Sequence, residues 1–305
     1  MQSPPVGDPR KRKASLTFSV LDQRVVFDCD DPALTALLLA NGPRLLNAHG
    51  PDLPLHEHYE SRGAGAPDAG LRYSVRVGAR PRTFVVSRDG GPTLAGEGGA
   101  EFLFMLEKDL TVELQRRRPD VLFLHSAALE WQGGACLLVG ESGAGKSTTA
   151  WALLHHGFRY LSDELAPIDL DRMQVLPYPH ALCLKSVPDH FVLPLASVDL
   201  GATLHIPPHA LPAPPVDEPK VLAAVFILSR SSGSGAAQAL PLGGAESAAR
   251  LYPHALNPLA HAQQGLDAVM RIAIGVPCFA LPRAELRATC AVIRANVERL
   301  HSNGG

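Results

Sequence analysis

The run Gly140-Glu141-Ser142-Gly143-Ala144-Gly145-Lys146-Ser147 has the spacing GxxxxGK[ST]. Its glycines let the chain bend tightly, so that successive backbone N–H groups point into one concavity suited to phosphate oxygens. A lysine in that position reaches the β- and γ-phosphates of a nucleotide, and the hydroxyl after it ligates Mg2+. The loop lies between an apolar, strand-like run at 135–139 and a helical stretch at 147–156, with Gly157 placed to end the helix. That strand–loop–helix context separates a phosphate loop from a chance glycine turn. Thr148 continues the phosphate-facing stretch into the first turn of the helix.

Ser162-Asp163-Glu164 follows the next apolar strand, 158–161. In a parallel sheet the carboxyl ends of the strands face the ligand crevice, so two acids there can divide two tasks. One holds Mg2+; the other accepts a proton from an attacking hydroxyl. Their bland reading is as capping or solvated acids. His125 ends another apolar run, 121–124, and could face the same crevice. On spacing alone, a structural histidine is its commoner role. Lys185, after an apolar stretch, is either a phosphate or acceptor contact or a surface lysine. Arg230, just past the strand 221–228, reads mainly as a solvated strand end.

His125, the loop Gly140–Ser147 and Arg159-Tyr160-Leu161-Ser162-Asp163-Glu164 together resemble the catalytic domain of the HPr kinase/phosphorylase family, across roughly residues 121–186. The resemblance implies an ATP- and Mg2+-dependent serine kinase, on the P-loop fold shared with phosphoenolpyruvate carboxykinase. By position, Lys146, Asp163, Glu164 and His125 are then the catalytic set. Gly140 through Thr148 hold the nucleotide, and Ser147 with Asp163 holds the metal. His125 would lie near the γ-phosphate or the acceptor. The sequence departs from the family at Thr148, where the family has Glu, and at Glu164, where it has Asp. It also lacks the downstream E-I-R-G-L-G-like signature, so neither phosphorolysis nor hexamer contacts are implied, and a homo-oligomer stays open. L-H-S-A…Y-L-S-D-E-L is more similar to divergent HPr kinase-related proteins of peptide-modifying gene clusters, including lasso-peptide tailoring kinases that phosphorylate a C-terminal Ser. The implied partner is a small protein or peptide that carries an acceptor Ser. A small-molecule kinase on the same fold, or a slow nucleotide-binding switch, remains open.

The length, 305 residues, accommodates two domains. Residues 1–15 read as a flexible tail with a basic cluster at Arg10–Lys13. Residues 16–118 read as a small α+β module, with strands at 16–21, 24–28, 73–77 and 83–87, and helices at 34–40 and 102–114. A glycine-rich loop is expected at 63–70. Residues 119–305 read as an α/β domain that carries the phosphate loop in a βαβ-type unit. Its later part holds a Pro-rich loop or lid at 206–219, a strand at 221–228 and a small-residue loop at 231–237. Helices at 245–251 and 266–274, a strand at 276–281 and a terminal helix at 283–300 follow. With 46% apolar and 19% charged residues, the chain can build a core and is not a disordered polymer. A net charge of −2 lacks the basic excess of a nucleic-acid binder. No apolar run reaches the ~18 residues of a membrane helix, and no apolar segment backs the N-terminal charges as in a secretory signal. Five scattered cysteines without a CxxC fit reduced thiols in the cytoplasm.

Overall fold

The structure, a computed structural model, describes residues 14–42, 44–49, 70–232 and 237–303. The tail cluster Arg10–Lys13, most of the expected 63–70 loop and the core of the 231–237 loop lie outside those residues. The chain divides into two compact units, Met1–Leu110 and Thr111–Gly305.

The first unit contains β1 (Ala14–Val20), β2 (Gln23–Cys29), α1 (Pro32–Asn41), β3 (Arg44–His49), β4 (Leu71–Val77), β5 (Thr83–Arg88) and β6 (Thr93–Glu97), and most of α2 (Gly98–Arg117). The strands form one sheet in the order β3-β1-β2-β4-β5-β6. Alternation along β1 sends Leu16, Phe18 and Val20 inward. Leu21 and Asp22 both have positive φ, which closes β1 onto β2 through a two-residue hairpin. Asp31 caps α1 by accepting from the Leu34 N–H at 2.8 Å, and Pro32 occupies the first turn. Asp109 of α2 ties the helix to the sheet, accepting from Tyr73 Oη at 2.8 Å and Arg88 Nε at 2.7 Å. The sequence reading omitted β3 and β6. In β6, Thr-Leu-Ala-Gly-Glu offers only one large apolar side chain, so no alternation marks it.

The second unit opens with β7 (Val121–Leu124), β8 (Ser126–Trp131), β9 (Gly134–Val139), α3 (Lys146–Leu154), β10 (Arg159–Ser162), β11 (Ala166–Asp169) and β12 (Gln174–Val175). A small sheet of β13 (Leu182–Leu184), β14 (Val198–Asp199) and β15 (Leu204–Ile206) follows. The unit closes with β16 (Lys220–Ser232), β17 (Leu240–Pro241), α4 (Gly244–Leu251), α5 (Leu266–Gly275), β18 (Cys278–Arg283) and α6 (Leu286–Asn303). The main sheet runs β10-β8-β9-β16-β12-β11-β7, with β18 also paired to β16. Alternate residues of β9 and β16 feed two cores. Leu137, Val139, Val225 and Ile227 pack with α4 and α5, while Leu138, Ala224 and Phe226 pack with α3 and α6. Burial on both faces explains why these strands are continuous apolar runs.

This sheet is mixed, which corrects the expected parallel arrangement. β9, β16 and β18 pair in parallel, but antiparallel β8 lies between β9 and β10. β10 therefore points the same way as β9 and still delivers its end to the same edge. The hairpin that inserts β8 turns at Gln132-Gly133, both at positive φ. Residues 206–219 are anchored rather than free: Leu211 and Val216 are buried, and the Val216 N–H donates to the Tyr160 carbonyl at 2.8 Å.

A strap runs beside β7. Leu124 and Ala255 form an isolated antiparallel bridge. Buried Asn257 accepts from the Phe123 N–H at 2.9 Å and donates to the Val121 carbonyl at 2.8 Å. Without this amide the buried Phe123 N–H loses its partner, at about 1–3 kcal/mol, and the Val121 carbonyl keeps only His261 Nε2, at 3.2 Å. Asn257→Ala is expected to lower stability by roughly 2–4 kcal/mol in urea denaturation. A loss near that of an exposed substitution, below about 0.5 kcal/mol, contradicts the clamp.

Candidate active site

β9 ends at Val139, and the chain turns at once into Gly140–Ser147. Gly140 has φ +155°, and a Cβ there would stand 2.6 Å from the Leu228 carbonyl oxygen of β16. The loop therefore leaves the sheet at a point only glycine fits. Gly145, at φ +95°, caps α3 with no side-chain hydrogen bond to the helix N-terminus. The first N–H groups of α3, with the positive end of its dipole, face the cleft and suit an anion. Lys146 is nearly buried; its Nζ donates to Gly140 O at 2.8 Å and to Glu141 O at 3.4 Å. Burial lowers its pKa, opposed by the charges of Asp163 and Glu164.

The two acids at the end of β10 occupy opposite environments. Asp163 has no solvent exposure. Its Oδ1 accepts from Ser147 Oγ at 3.1 Å, and its Oδ2 accepts from the Cys183 N–H at 3.2 Å. Burial, then the neighbouring Glu164 charge, push its pKa up to about 6. Glu164 is exposed and sits at φ +61°, a left-handed conformation costly for a residue with a Cβ. That turn aims successive acids apart, one beneath the phosphate loop and one into the cleft. His125 Nδ1–H donates to the Glu164 carbonyl at 2.9 Å. Because a carbonyl only accepts, this fixes the tautomer and leaves Nε2 free to accept when the ring is neutral.

A cleft of about 680 Å³ joins these parts. His125, Ser142 through Thr149, Glu164, Lys185 and Arg283 line it. Gly140 and Glu141 are not among the lining residues; their carbonyls hold Lys146. Asp163 lies under the floor and reaches the site through Ser147. Lys185 Nζ donates to Ser142 Oγ at 3.1 Å, so it belongs to the cleft wall. Arg230 and residues 206–219 do not line the cleft. The sequence reading missed Cys183 and Arg283, which line the cleft.

No family model matches the chain. A curated protein, the HPr kinase/phosphorylase of Lactobacillus delbrueckii subsp. bulgaricus, is 34% identical over 100 residues. The chain is similar to an HPr kinase/phosphorylase. The match takes in 32% of this chain and 28% of the relative, so the chain spans little more than a quarter of the length of the protein it matches. Among solved structures, the Hpr(Ser) kinase/phosphatase of Coxiella burnetii aligns with 60% of this chain and 99% of its own. That superposition has 14% identity and a loose TM-score of 0.33. No helix among the described residues is long and apolar enough to cross a membrane.

Chemically, the cleft sets amide donors, two lysines and Arg283 around space for a polyanion. The donor set at its foot also fits Mg2+, which takes one or two protein oxygens and completes its octahedron with water and phosphate oxygens. Ser147 and Asp163 supply such a pair. Among the described residues no group of three or more His, Cys, Asp or Glu forms a self-contained metal cage.

The Asp163 carboxyl has a pH consequence. Its folded pKa, about 6, lies above the ordinary 3.8 of an aspartate. Between these values the folded state keeps a proton that the unfolded state has lost. Stability from this group is therefore present at low pH and is lost as pH rises through about 6. In ligand- and metal-free protein, Asp163→Asn is expected to flatten this part of the stability–pH curve. It should also raise stability at neutral pH by at most about 3 kcal/mol. Equal pH slopes for wild type and Asp163→Asn in urea denaturation would contradict the burial argument.

Proposed function

We propose that this protein is an ATP- and Mg2+-dependent phosphotransferase of the HPr kinase type, which transfers the γ-phosphoryl group to a serine hydroxyl of a small protein or peptide. The observation that carries this reading is the convergence of Lys146, Ser147, Glu164 and His125 on one cleft, with Asp163 bonded to Ser147 beneath it. The 100-residue similarity to an HPr kinase/phosphorylase supports it.

In this reading the loop amides from Gly140 to Thr148 and the Lys146 ammonium hold the phosphates. Ser147 and Asp163 hold Mg2+, which neutralises charge on the β- and γ-phosphoryl oxygens. Coordination favours the ionised form of Asp163, which ligand-free burial disfavours. Glu164, exposed in the cleft, takes the proton of the acceptor hydroxyl. The acceptor oxygen bonds to the γ-phosphorus as the bond to the β–γ bridging oxygen breaks, giving ADP and a phosphoserine. His125 stands beside the transferred group, its ring set by the Glu164 carbonyl. Positioning and charge neutralisation supply most of the acceleration in such transfers. The L-H-S-A…Y-L-S-D-E-L resemblance favours a peptide acceptor with a C-terminal Ser.

Transfer from γ-labelled ATP should appear on HPr or on peptides with a terminal Ser. Lys146→Ala is expected to lower it by at least about 100-fold. Glu164→Gln should lower kcat by about 10²–10⁴-fold while nucleotide binding persists. Labelling of a small hydroxyl compound in place of these acceptors would shift the reading to a small-molecule kinase. Tight binding of Mg·ATP with neither labelling nor hydrolysis would overturn the kinase reading in favour of a nucleotide switch.

A further inference from the structure

Two walls of the cleft differ in chemistry. The first follows the acids at the end of β10. The Cys183 N–H donates to Asp163 Oδ2, and Lys185 Nζ reaches Ser142 Oγ of the phosphate loop. Ser186 and Thr203 line the cleft with them. This wall is polar and adjoins the end where Glu164 and His125 meet. The second wall is built by Leu228 of β16, by Leu281, Pro282 and Arg283 of β18, and by Leu286 and Thr289 of α6. It lies on the other side of the phosphate loop. The strands run β10-β8-β9-β16, with β18 beside β16, and the loop leaves β9 in the middle. Neighbouring strands stand about 4.8 Å apart, so β10 and β18 each lie roughly 10 Å from β9 along the sheet.

A nucleotide whose phosphates lie on the loop, with its γ-phosphoryl group toward the acids, sends its nucleoside the opposite way. The second wall suits that half of the ligand. Leu228, Leu281, Pro282 and Leu286 give it an apolar surface. The start of α6 offers no anion site there, because the Glu285 carboxylate already accepts from the Arg287 and Ala288 N–H groups at 2.8 and 2.9 Å. The Thr289 hydroxyl is likewise engaged, donating to the Glu285 carbonyl at 3.0 Å. Arg283 is exposed, and among the described residues its guanidinium has no hydrogen-bond or ion-pair partner. We propose that the corner between β18 and α6 seats the nucleoside of the bound nucleotide, with the Arg283 guanidinium stacked on the face of the base. This rests on the reading of the cleft as a nucleotide site. A guanidinium is planar and weakly hydrated, so it lies flat on an aromatic ring, which a lysine ammonium cannot do.

The test compares Arg283→Ala and Arg283→Lys with wild type. Calorimetric titration with the Mg2+ complexes of ADP and of inorganic pyrophosphate separates the nucleoside from the two phosphoryl groups. Wild type is expected to bind ADP more tightly than pyrophosphate. In Arg283→Ala, ADP affinity should fall about tenfold, as for loss of a desolvated cation–π contact. Pyrophosphate affinity should stay unchanged. Arg283→Lys keeps the charge without the plane and should recover little of the loss. An equal fall for both ligands places Arg283 on the phosphates and overturns the proposal, as does full recovery by Lys or no fall for either ligand. Wild type that binds pyrophosphate as tightly as ADP also overturns it. Wild type that binds neither ligand overturns the nucleotide reading and this assignment with it. Wild type that binds ADP but phosphorylates nothing removes only the kinase reading, and the comparison of ADP with pyrophosphate still decides Arg283.

Discussion

The Asp163 carboxylate is out of contact with water at the end of β10, and its two oxygens are held by a serine hydroxyl and a backbone amide. Burial of an ionised carboxylate costs free energy unless a cation or several hydrogen bonds compensate it. Two neutral donors compensate only in part, which is why its pKa rises to about 6. Ser147 couples it to the phosphate loop, and Cys183 couples it to the small sheet. The left-handed turn at Glu164 keeps the second acid out of the same environment. A site that stores an unfavourable charge in the free state gains when a divalent ion arrives.

Strand direction makes this arrangement possible. β9, β10, β16 and β18 all end at one edge of the sheet. The phosphate loop, the acid pair, Leu228 and Arg283 therefore reach one cleft without long loops. α3 starts at that edge and presents its N-terminal amides, while α6 packs beside it. The antiparallel β8 does not disturb the convergence, because two antiparallel steps restore the direction. The strap on β7 comes from a distant part of the chain and is held there by the Asn257 side chain and by backbone bonds.

The strand–loop–helix around Gly140–Ser147 was legible because its signals are local: an apolar run, three glycines and a helical stretch in close succession. The acid pair was legible from its place after an apolar strand, and the structure brings it to the loop. The environment of Asp163 was not legible. It depends on Cys183, twenty residues on, whose amide completes the carboxylate's bonding. The insertion of β8 was hidden because pairing partners are non-local, and its Gln132-Gly133 turn went unread. The strap on β7 was invisible for the same reason: Leu124 and Ala255, joined by a backbone bridge, lie 131 residues apart in sequence.

The central claim is that Ser147 and Asp163 hold the metal of a bound metal–nucleotide complex. Mn2+ can replace Mg2+ as a spin probe, and an electron paramagnetic resonance titration in the presence of ADP reads the bound ion directly. The account predicts a ternary complex in wild type whose Mn2+ affinity falls by at least about tenfold in Asp163→Asn, the equivalent of about 1.4 kcal/mol. Unchanged Mn2+ affinity in that variant, with ADP still bound, would contradict it.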